Sequence, residues 1–265
     1  MLKKDGTVWG TGVNTFGQLG IDMNNNTMQT TFVQAVFMHG IAKAVAAGSE
    51  HSLVLTQNGN VYSAGSNVDG QLGDGSNIDS DSFVQVMISS FLKIIAISAG
   101  GKHSMVMLRG GSVWVTGCNS HGQLGDGSLT STSTFVRVIK DRAKAVAAGS
   151  RHSMVLTRDG AVWLTGSNEY GQLGIETVTY HTTFTKVIEN KAKAIAAGSF
   201  HNMVLKTDGS VWATGSNEYG QLGEGSVEPR TTFVKVISSG AKAITAGGDH
   251  SMVLKKYGSV WAAGA

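Results

Sequence analysis

A four-residue motif, Gly-Gln-Leu-Gly, recurs five times along this 265-residue chain. Its copies begin at Gly17, Gly70, Gly122, Gly171 and Gly220, so successive copies lie 49 to 53 residues apart. A fixed period of this length is typical of repeat architectures, in which each repeat forms one structural unit that packs on its neighbours. The repeats run from end to end. We therefore predict one domain over residues 1–265, made of five repeats of about 50 residues with partial repeats at both ends.

Each repeat contains four short apolar segments of strand length. In one copy they cover residues 194–198, 201–205, 210–215 and 232–237, and Asp208-Gly209 between the second and third is a strong hairpin signal. The glycine-rich connections leave no room for a helix, and a parallel β-helix would have shorter coils without this hairpin. Four short antiparallel strands per repeat are typical of a propeller blade. We predict an all-β fold, a β-propeller of four-stranded antiparallel blades with about five blades in this chain.

All five tryptophans occupy one position in the third strand of a repeat, and Tyr62 takes that position in a sixth copy. A ring of this size buries roughly 150–250 Å². Its recurrence favours packing between blades over a binding platform. The tryptophans are Trp9, Trp114, Trp163, Trp212 and Trp261.

Two linked motifs in these repeats resemble the regulator of chromosome condensation repeat. One is Ala-Gly-Ser-Glu-His-Ser-Leu-Val-Leu at 47–55, and the other is Gly-Ser-Asn-Glu-Tyr-Gly-Gln-Leu-Gly at 166–174. The resemblance covers essentially the whole chain and implies a propeller, usually of seven blades. Here the Val-Trp strand occurs six times and the other strands five times. A closed five-bladed ring with one redundant strand and a part of a seven-bladed ring both stay open.

Charge and cysteine usage narrow the possible partners. The net charge is +3, and the 21 Lys and Arg residues are spread over every repeat. This distribution argues against a nucleic-acid partner held mainly through phosphates, which calls for a basic face or run. A single cysteine, Cys118, replaces a serine of other copies and has no partner for an internal disulfide. Because no signal peptide and no apolar run of spanning length is visible, we expect an intracellular protein without a membrane span.

A histidine begins the second strand in every repeat. Zinc needs donor nitrogens within about 2.1 Å of one ion, whereas equivalent positions on different blades lie well apart. We therefore predict no metal and no cofactor, and we expect each imidazole to be buried, neutral and bonded to the backbone of its own blade. The serines that follow these histidines repeat with the scaffold, and no nucleophile elbow or phosphate loop is present. The chain is predicted to be a non-enzyme. The histidines are His51, His103, His152, His201 and His250.

The resemblance also implies possible functions. Nuclear members of the family act as exchange factors for the small GTPase Ran and dock on nucleosomes, and exchange is associated with a wedge-like insertion in one blade. The connections between successive repeats of this chain hold no insertion of that length. We therefore favour a scaffold that mediates protein–protein interaction. An exchange factor or regulator of a small GTPase is the first alternative, and a chromatin-binding scaffold is the second.

Two positions vary in every repeat while their neighbours stay fixed. Exposed loops on a rigid scaffold carry function, and aromatic residues are enriched at contact hot spots. The alternative is unconstrained drift of solvent-facing residues. We predict that these positions form a partner-binding face. The position before each histidine holds Glu50, Lys102, Arg151, Phe200 and Asp249. The position before each Gly-Gln-Leu-Gly motif holds Phe16, Asp69, His121, Tyr170 and Tyr219.

Overall fold

The computed structural model describes residues 1–21, 27–37, 39–86, 88, 93–176 and 179–265. Within these ranges the chain forms 21 strands and no helix, and hence no helix that could cross a bilayer. The strands belong to two compact units. The first unit contains Met1–Ser120 and Thr130–Asp141, and the second contains His121–Leu129 and Arg142–Ala265. A single domain over 1–265 stays a prediction.

The first unit contains a two-stranded sheet followed by two four-stranded blades, all antiparallel. The two-stranded sheet pairs β1 (Trp9–Gly12) with β2 (Gln29–Gln34). The first blade has the order β3 (Ala42–Ala47), β4 (His51–Thr56), β5 (Val61–Gly65) and β6 (Ser80–Gln85). The second blade has the order β7 (Ile94–Ala99), β8 (His103–Leu108), β9 (Val113–Gly117) and β10 (Thr132–Ile139).

The second unit contains two four-stranded blades and a three-stranded sheet, again antiparallel. The first of its blades consists of β11 (Ala143–Ala148), β12 (His152–Thr157), β13 (Val162–Gly166) and β14 (His181–Ile188). The second consists of β15 (Ala192–Ala197), β16 (His201–Lys206), β17 (Val211–Gly215) and β18 (Arg230–Ile237). The three-stranded sheet consists of β19 (Ala241–Ala246), β20 (His250–Lys255) and β21 (Val260–Gly264).

The Asp-Gly hairpin is present where the sequence predicts it. Gly209 has a φ of 79°, a left-handed conformation that favours glycine. The Asp208 carboxylate accepts hydrogen bonds from the hydroxyl and the backbone amide of Ser210, at 2.6 and 2.9 Å, and these bonds lower the pKa of the carboxyl. The turn thereby fixes the register of β16 on β17, in which Leu205 pairs with Val211.

Within each unit, the core lies between successive blades. Met154, Leu156 and Leu164 of one blade cluster with Val204 of the next, and all four side chains are buried. In the first unit, Trp114 packs against a cluster drawn from both four-stranded blades, which confirms the predicted role of the tryptophan column at this position. Burial of this kind stabilises by roughly 25 cal/mol per Å² of apolar surface.

The tryptophan column is nevertheless less buried than the aliphatic core. Trp9, Trp114, Trp163 and Trp212 are half-buried, and Trp261 is 57% exposed. A lysine ammonium lies over several of these rings, which suits a position at the blade margin.

The predicted all-β fold of four-stranded antiparallel blades is confirmed. Four complete blades, one three-stranded sheet and one two-stranded sheet in the described residues agree with about five blades.

Candidate protein-interaction surface

Three buried histidines, His51, His152 and His201, each bond to a side chain of the next sheet. In the first unit, His51 Nε2 lies 2.9 Å from Ser104 Oγ, and Ser104 Oγ donates to the carbonyl of Gln71 at 2.6 Å. In the second unit, His152 Nε2 lies 2.9 Å from Asn202 Oδ1, and Asn202 Nδ2 donates to the carbonyl of Gln172 at 2.7 Å. The histidine of one blade, the residue after the next histidine and the glutamine of the motif thus form one hydrogen-bonded chain.

These bonds fix the protonation of the rings. Asn202 Oδ1 can only accept, and Ser104 has already donated its one proton, so His152 and His51 both donate from Nε2–H. Their Nδ1 atoms are buried without a hydrogen-bond partner among the described residues. Burial lowers the pKa of both histidines to about 4, because a charged ring would be poorly solvated there. The imidazoles are therefore neutral at pH 7.

The expectation that each histidine bonds to the backbone of its own blade is wrong, and so is the expectation that all five are buried, because the side chain of His250 is exposed. The ring covers the turn glycine of its own blade, as His152 covers Gly149, but its Nε2 bonds to a side chain of the next blade. This also explains the repeated serine, which acts as both donor and acceptor between blades. Within the described residues, no group of three His, Cys, Asp or Glu side chains is placed to hold a metal ion.

The turns that precede these histidines are joined by backbone hydrogen bonds. The amide of Ser49 donates to the carbonyl of Gly100 at 3.3 Å in the first unit. In the second unit, Ser150 donates to Ser199 at 3.2 Å, and Ser199 donates to Gly248 at 3.0 Å. The variable residue that follows each of these positions is consequently held at a fixed place on a rigid turn.

The glutamine of each Gly-Gln-Leu-Gly motif fixes the second variable position. Its side-chain Oε1 accepts a hydrogen bond from the backbone amide of the residue two places earlier, as Gln172 does from Tyr170 at 2.9 Å. At the variable residue the bond uses only the backbone amide, so it does not depend on which side chain stands there. The same bond is present at Phe16, Asp69, His121 and Tyr219.

The two sets of variable residues meet across blade boundaries. In the first unit, Lys102 Nζ lies 3.8 Å from Asp69 Oδ2. In the second unit, Arg151 Nη1 lies 3.5 Å from His121 Nε2. The rings of Tyr170 and Phe200 are 5.0 Å apart between centroids. An ion pair, a mixed polar contact and an aromatic contact thus occupy equivalent places in different repeats.

The side chains of both sets lie at the same end of their blades, because His201 at the start of β16 pairs with Gly215 at the end of β17. Lys102, Arg151, Tyr170 and Tyr219 are exposed, and Tyr219 reaches 58%. The remaining six predicted residues are half-buried in equivalent turns. They are Glu50, Phe200, Asp249, Phe16, Asp69 and His121.

One residue of this cluster is absent from the predicted set. The Glu169 carboxylate lies 3.9 Å from Arg151 Nη1 and 3.7 Å from His121 Nε2, so it joins the contact between these two side chains. The residue directly before this second variable position also differs between repeats, as Thr15, Val68, Ser120, Glu169 and Glu218 do, and this variation is the signal in the sequence. We call the predicted residues of the second unit together with Glu169 the variable blade-end surface; these predicted residues are His121, Arg151, Tyr170, Phe200, Tyr219 and Asp249. Whether it binds a partner stays a prediction.

Comparison with known proteins agrees with this architecture. A family model described as the RCC1-like domain matches residues 39–265, and one described as the regulator of chromosome condensation (RCC1) repeat matches residues 5–55. Among curated relatives, the X-linked retinitis pigmentosa GTPase regulator of Homo sapiens is 37% identical over 115 residues, 43% of this chain and 11% of that protein. Protein RCC2 of Homo sapiens is 32% identical over 129 residues, 48% of this chain and 24% of that protein. The matches thus span about a quarter or less of these relatives.

Two solved structures share the fold. Prp20p of Saccharomyces cerevisiae, described together with its binding properties to Gsp1p and histones, superposes with a TM-score of 0.86 at 22% identity. That match covers 99% of this chain and 68% of the yeast chain. Human WBSCR16 superposes with a TM-score of 0.86 at 24% identity, over 96% of this chain and 69% of the human one. At these identities the likeness shows the fold, a β-propeller.

Proposed function

Because the chain belongs to the RCC1-like domain family, we propose that it is a non-enzymatic β-propeller that binds a protein partner through the variable blade-end surface. The proposal rests on one observation. A repeated set of hydrogen bonds holds the backbone at positions where the side chains differ in charge and shape.

A fixed backbone favours binding because the conformational entropy is already lost when the partner arrives. The contacts between variable residues act in the same direction. An exposed ion pair such as Arg151 with Glu169 contributes only about 0–1 kcal/mol to folding, so stability is a weak reason for its presence. The pair does bring two long, half-exposed side chains together at this place on the surface.

The aromatic part of the surface supplies the expected affinity. Tyr170 contacts Phe200, and Tyr219 is exposed on the equivalent position one blade further. Tyrosine is among the residues that dominate binding energy at protein interfaces. Arg151 adds a positive charge in the same unit, which suits a partner with acidic side chains at the rim of the contact.

The test uses a triple variant, Arg151→Ala, Tyr170→Ala and Tyr219→Ala, which removes three exposed side chains and leaves the repeated hydrogen bonds intact. Proteins retained by the immobilised parent are identified, and each affinity is then measured with purified components. We expect the variant to bind about 2 kcal/mol or more weakly, with little change in its melting temperature. The control is Arg158→Ala with Tyr257→Ala, two exposed residues in the hairpin turns at the other end of their blades. Equal binding by parent and triple variant would contradict the proposal.

Regulation of a small GTPase is the second candidate. It is favoured by the relative named as a GTPase regulator and by the yeast structure described with Gsp1p binding. Nucleotide release from a Ran-type GTPase separates the two candidates. Acceleration by substoichiometric chain would identify an exchange factor, whereas binding without acceleration would leave a scaffold. A chromatin scaffold would bind nucleosomes with an affinity that falls steeply as salt rises.

A further inference from the structure

Charge is divided between the two ends of the second unit. One end carries the hairpin turns at 158–160, 207–209 and 256–258, and the other carries the variable turns. Eleven of the thirteen Lys and Arg residues of this unit lie toward the hairpin end, whereas seven of its ten Asp and Glu residues lie toward the variable end. Cations that are spread evenly along the sequence are thus gathered at one end, because equivalent positions of successive repeats lie there.

Backbone hydrogen bonds join the hairpin ends of successive sheets. The amide of Ala192 donates to the carbonyl of Gly160 at 3.0 Å, and the amide of Ala241 donates to the carbonyl of Gly209 at 3.0 Å. Each bond connects a hairpin turn with the first strand of the following sheet. The three hairpin turns therefore belong to one surface.

A β-bulge places a lysine at this end of every sheet in the unit. The pairing of β11 with β12 shifts by one residue at Lys144, which is thereby the extra residue of a bulge. Lys193 and Lys242 occupy the same bulge in the next two sheets, and all three side chains are exposed. Bulges re-aim side chains and are often found beside functional sites. Because the first strands that carry them are neighbours, three positive charges are gathered here.

Two further cations of this end stand in strained backbone. Arg142 and Lys191, each two residues before a bulge lysine, have φ values of 72° and 67°, and no other non-glycine residue in the described ranges has a positive φ. The third sheet has Gly240 at the equivalent position, with a φ of 77°. Glycine adopts this conformation without strain, so a cation kept there twice indicates a role for its side chain.

The acidic side chains at the hairpin end have local partners. Asp159 accepts a hydrogen bond from the hydroxyl of Thr157, and Asp208 from that of Ser210, both at 2.6 Å. Glu189 Oε2 lies 3.1 Å from Lys186 Nζ. These three carboxylates leave the hairpin end strongly positive, since eleven cations share it. We call the bulge lysines, the two strained cations and one turn lysine the basic hairpin surface; they are Arg142, Lys144, Lys191, Lys193, Lys242 and Lys256.

An aromatic residue stands beside these cations, at the tip of the third hairpin turn. Tyr257 is 93% exposed, and Lys256 Nζ lies 5.9 Å from the centroid of its ring. The other two turns have Asp159 and Asp208 at this position. Tyrosine is enriched at the membrane–water interface, where its ring lies at the level of the headgroups. Five of the six cations are lysines, which act as point charges and lack the planar fork with which arginine recognises phosphates in nucleic acids.

We propose that the basic hairpin surface docks on an anionic lipid bilayer, with its cations at the headgroups and Tyr257 in the interface. Each lysine or arginine near such a surface adds to the attraction. The variable blade-end surface lies at the opposite end of the unit, so a docked chain presents it to solution. The docking does not depend on whether a protein binds there.

The test measures sedimentation of the 265-residue chain with vesicles of equal parts phosphatidylcholine and phosphatidylserine, and with vesicles of phosphatidylcholine alone. We expect binding to the charged vesicles only, and we expect it to weaken as salt is raised. Lys144→Gln, Lys193→Gln and Lys242→Gln together should weaken this binding at least about tenfold, because three charges are lost. The matched control replaces the same three lysines by arginine, which keeps the charge and should keep the affinity.

A glycine variant separates binding from folding. Arg142→Gly with Lys191→Gly removes two cations together with the backbone strain. It should weaken binding to the charged vesicles, while its melting temperature stays unchanged or rises. Unchanged binding by the glutamine variant or the glycine variant, or equal binding to the two kinds of vesicle, would overturn the proposal. Absence of vesicle binding would also overturn it, and capture of a DNA duplex in its place would identify a nucleic acid as the occupant.

Discussion

At the scale of single residues, the structure explains why serine follows the histidines and why asparagine can replace it. The bridging residue must accept from His Nε2–H and donate to a glutamine carbonyl. Ser104 meets both demands with one hydroxyl, and Asn202 meets them with one amide. The repeated histidine and its burial are predictable from the sequence. Its hydrogen-bond partner is not, because these bonds join residues 50 to 53 positions apart and depend on how blades align.

The buried histidines predict a loss of stability in mild acid. The pKa of His152 falls from its ordinary value of 6.5 to about 4 on folding, so the unfolded chain takes up this proton first as the pH falls. Stability is full above pH 6.5 and declines between 6.5 and 4, by up to about 1.4 kcal/mol per pH unit for each such histidine. His152→Gln keeps an N–H donor but does not titrate, so urea unfolding should show a shallower decline.

The matched control for this prediction is His250→Gln. His250 occupies the same column, but its side chain is exposed in the 265-residue chain. Because its side chain buries less surface, we expect this substitution to change the free energy of unfolding at pH 7 less than His152→Gln does. An identical slope in the parent and in His152→Gln would contradict the assigned role of His152.

At the scale of strands and loops, the Gly-Gln-Leu-Gly motif fastens one blade to the next. The sequence predicted four strands per repeat because hydrophobic alternation and Asp-Gly turns are local signals. The function of the motif glycines was not predictable in the same way. Their neighbours belong to the following blade, as Phe233 lies on Gly174 some 60 residues away.

Gly174 and Gly223 have the same backbone conformation, so replacing each by alanine distinguishes backbone strain from steric overlap. Gly174 and Gly223 have φ values of 72° and 69°, so alanine costs roughly 1–2 kcal/mol at either position from conformation alone. Only at Gly174 does a methyl group also meet a phenylalanine ring. Gly174→Ala should therefore be more destabilising than Gly223→Ala by about 1–3 kcal/mol in chemical unfolding. Equal losses would show that the ring moves aside freely.

At the scale of the whole molecule, repeats make stability a sum of neighbouring interfaces rather than one central core. The period of the motif was enough to predict the propeller, since four short strands per repeat have few other arrangements. The division of the described chain into two compact units was not visible in the sequence, because composition and motifs run through both without a break. The candidate surface was predictable as a set of varying positions, but its paired contacts were not.

Because the strands differ in pairing and burial, we expect their amides to differ in protection from hydrogen exchange. Strand β17 is paired on both sides and its interior residues are buried, whereas β21 is paired on one side and mostly exposed. Amides of β21 should exchange with solvent faster than those of β17 in native-state hydrogen exchange, because opening an edge exposes less buried surface. Equal protection of the two strands would mean that the chain opens only as a whole.

The glutamine bond to the backbone of each variable residue has an evolutionary consequence. Gln172 accepts a hydrogen bond from the backbone amide of Tyr170 and does not bond to its ring. Most substitutions at this position therefore keep the bond and should change the stability of the fold little. The same holds in every blade that carries the bond, so the positions can be exchanged in combination. A library that randomises them should yield many folded members, and such a chain could acquire new binding specificities by selection without rebuilding its framework.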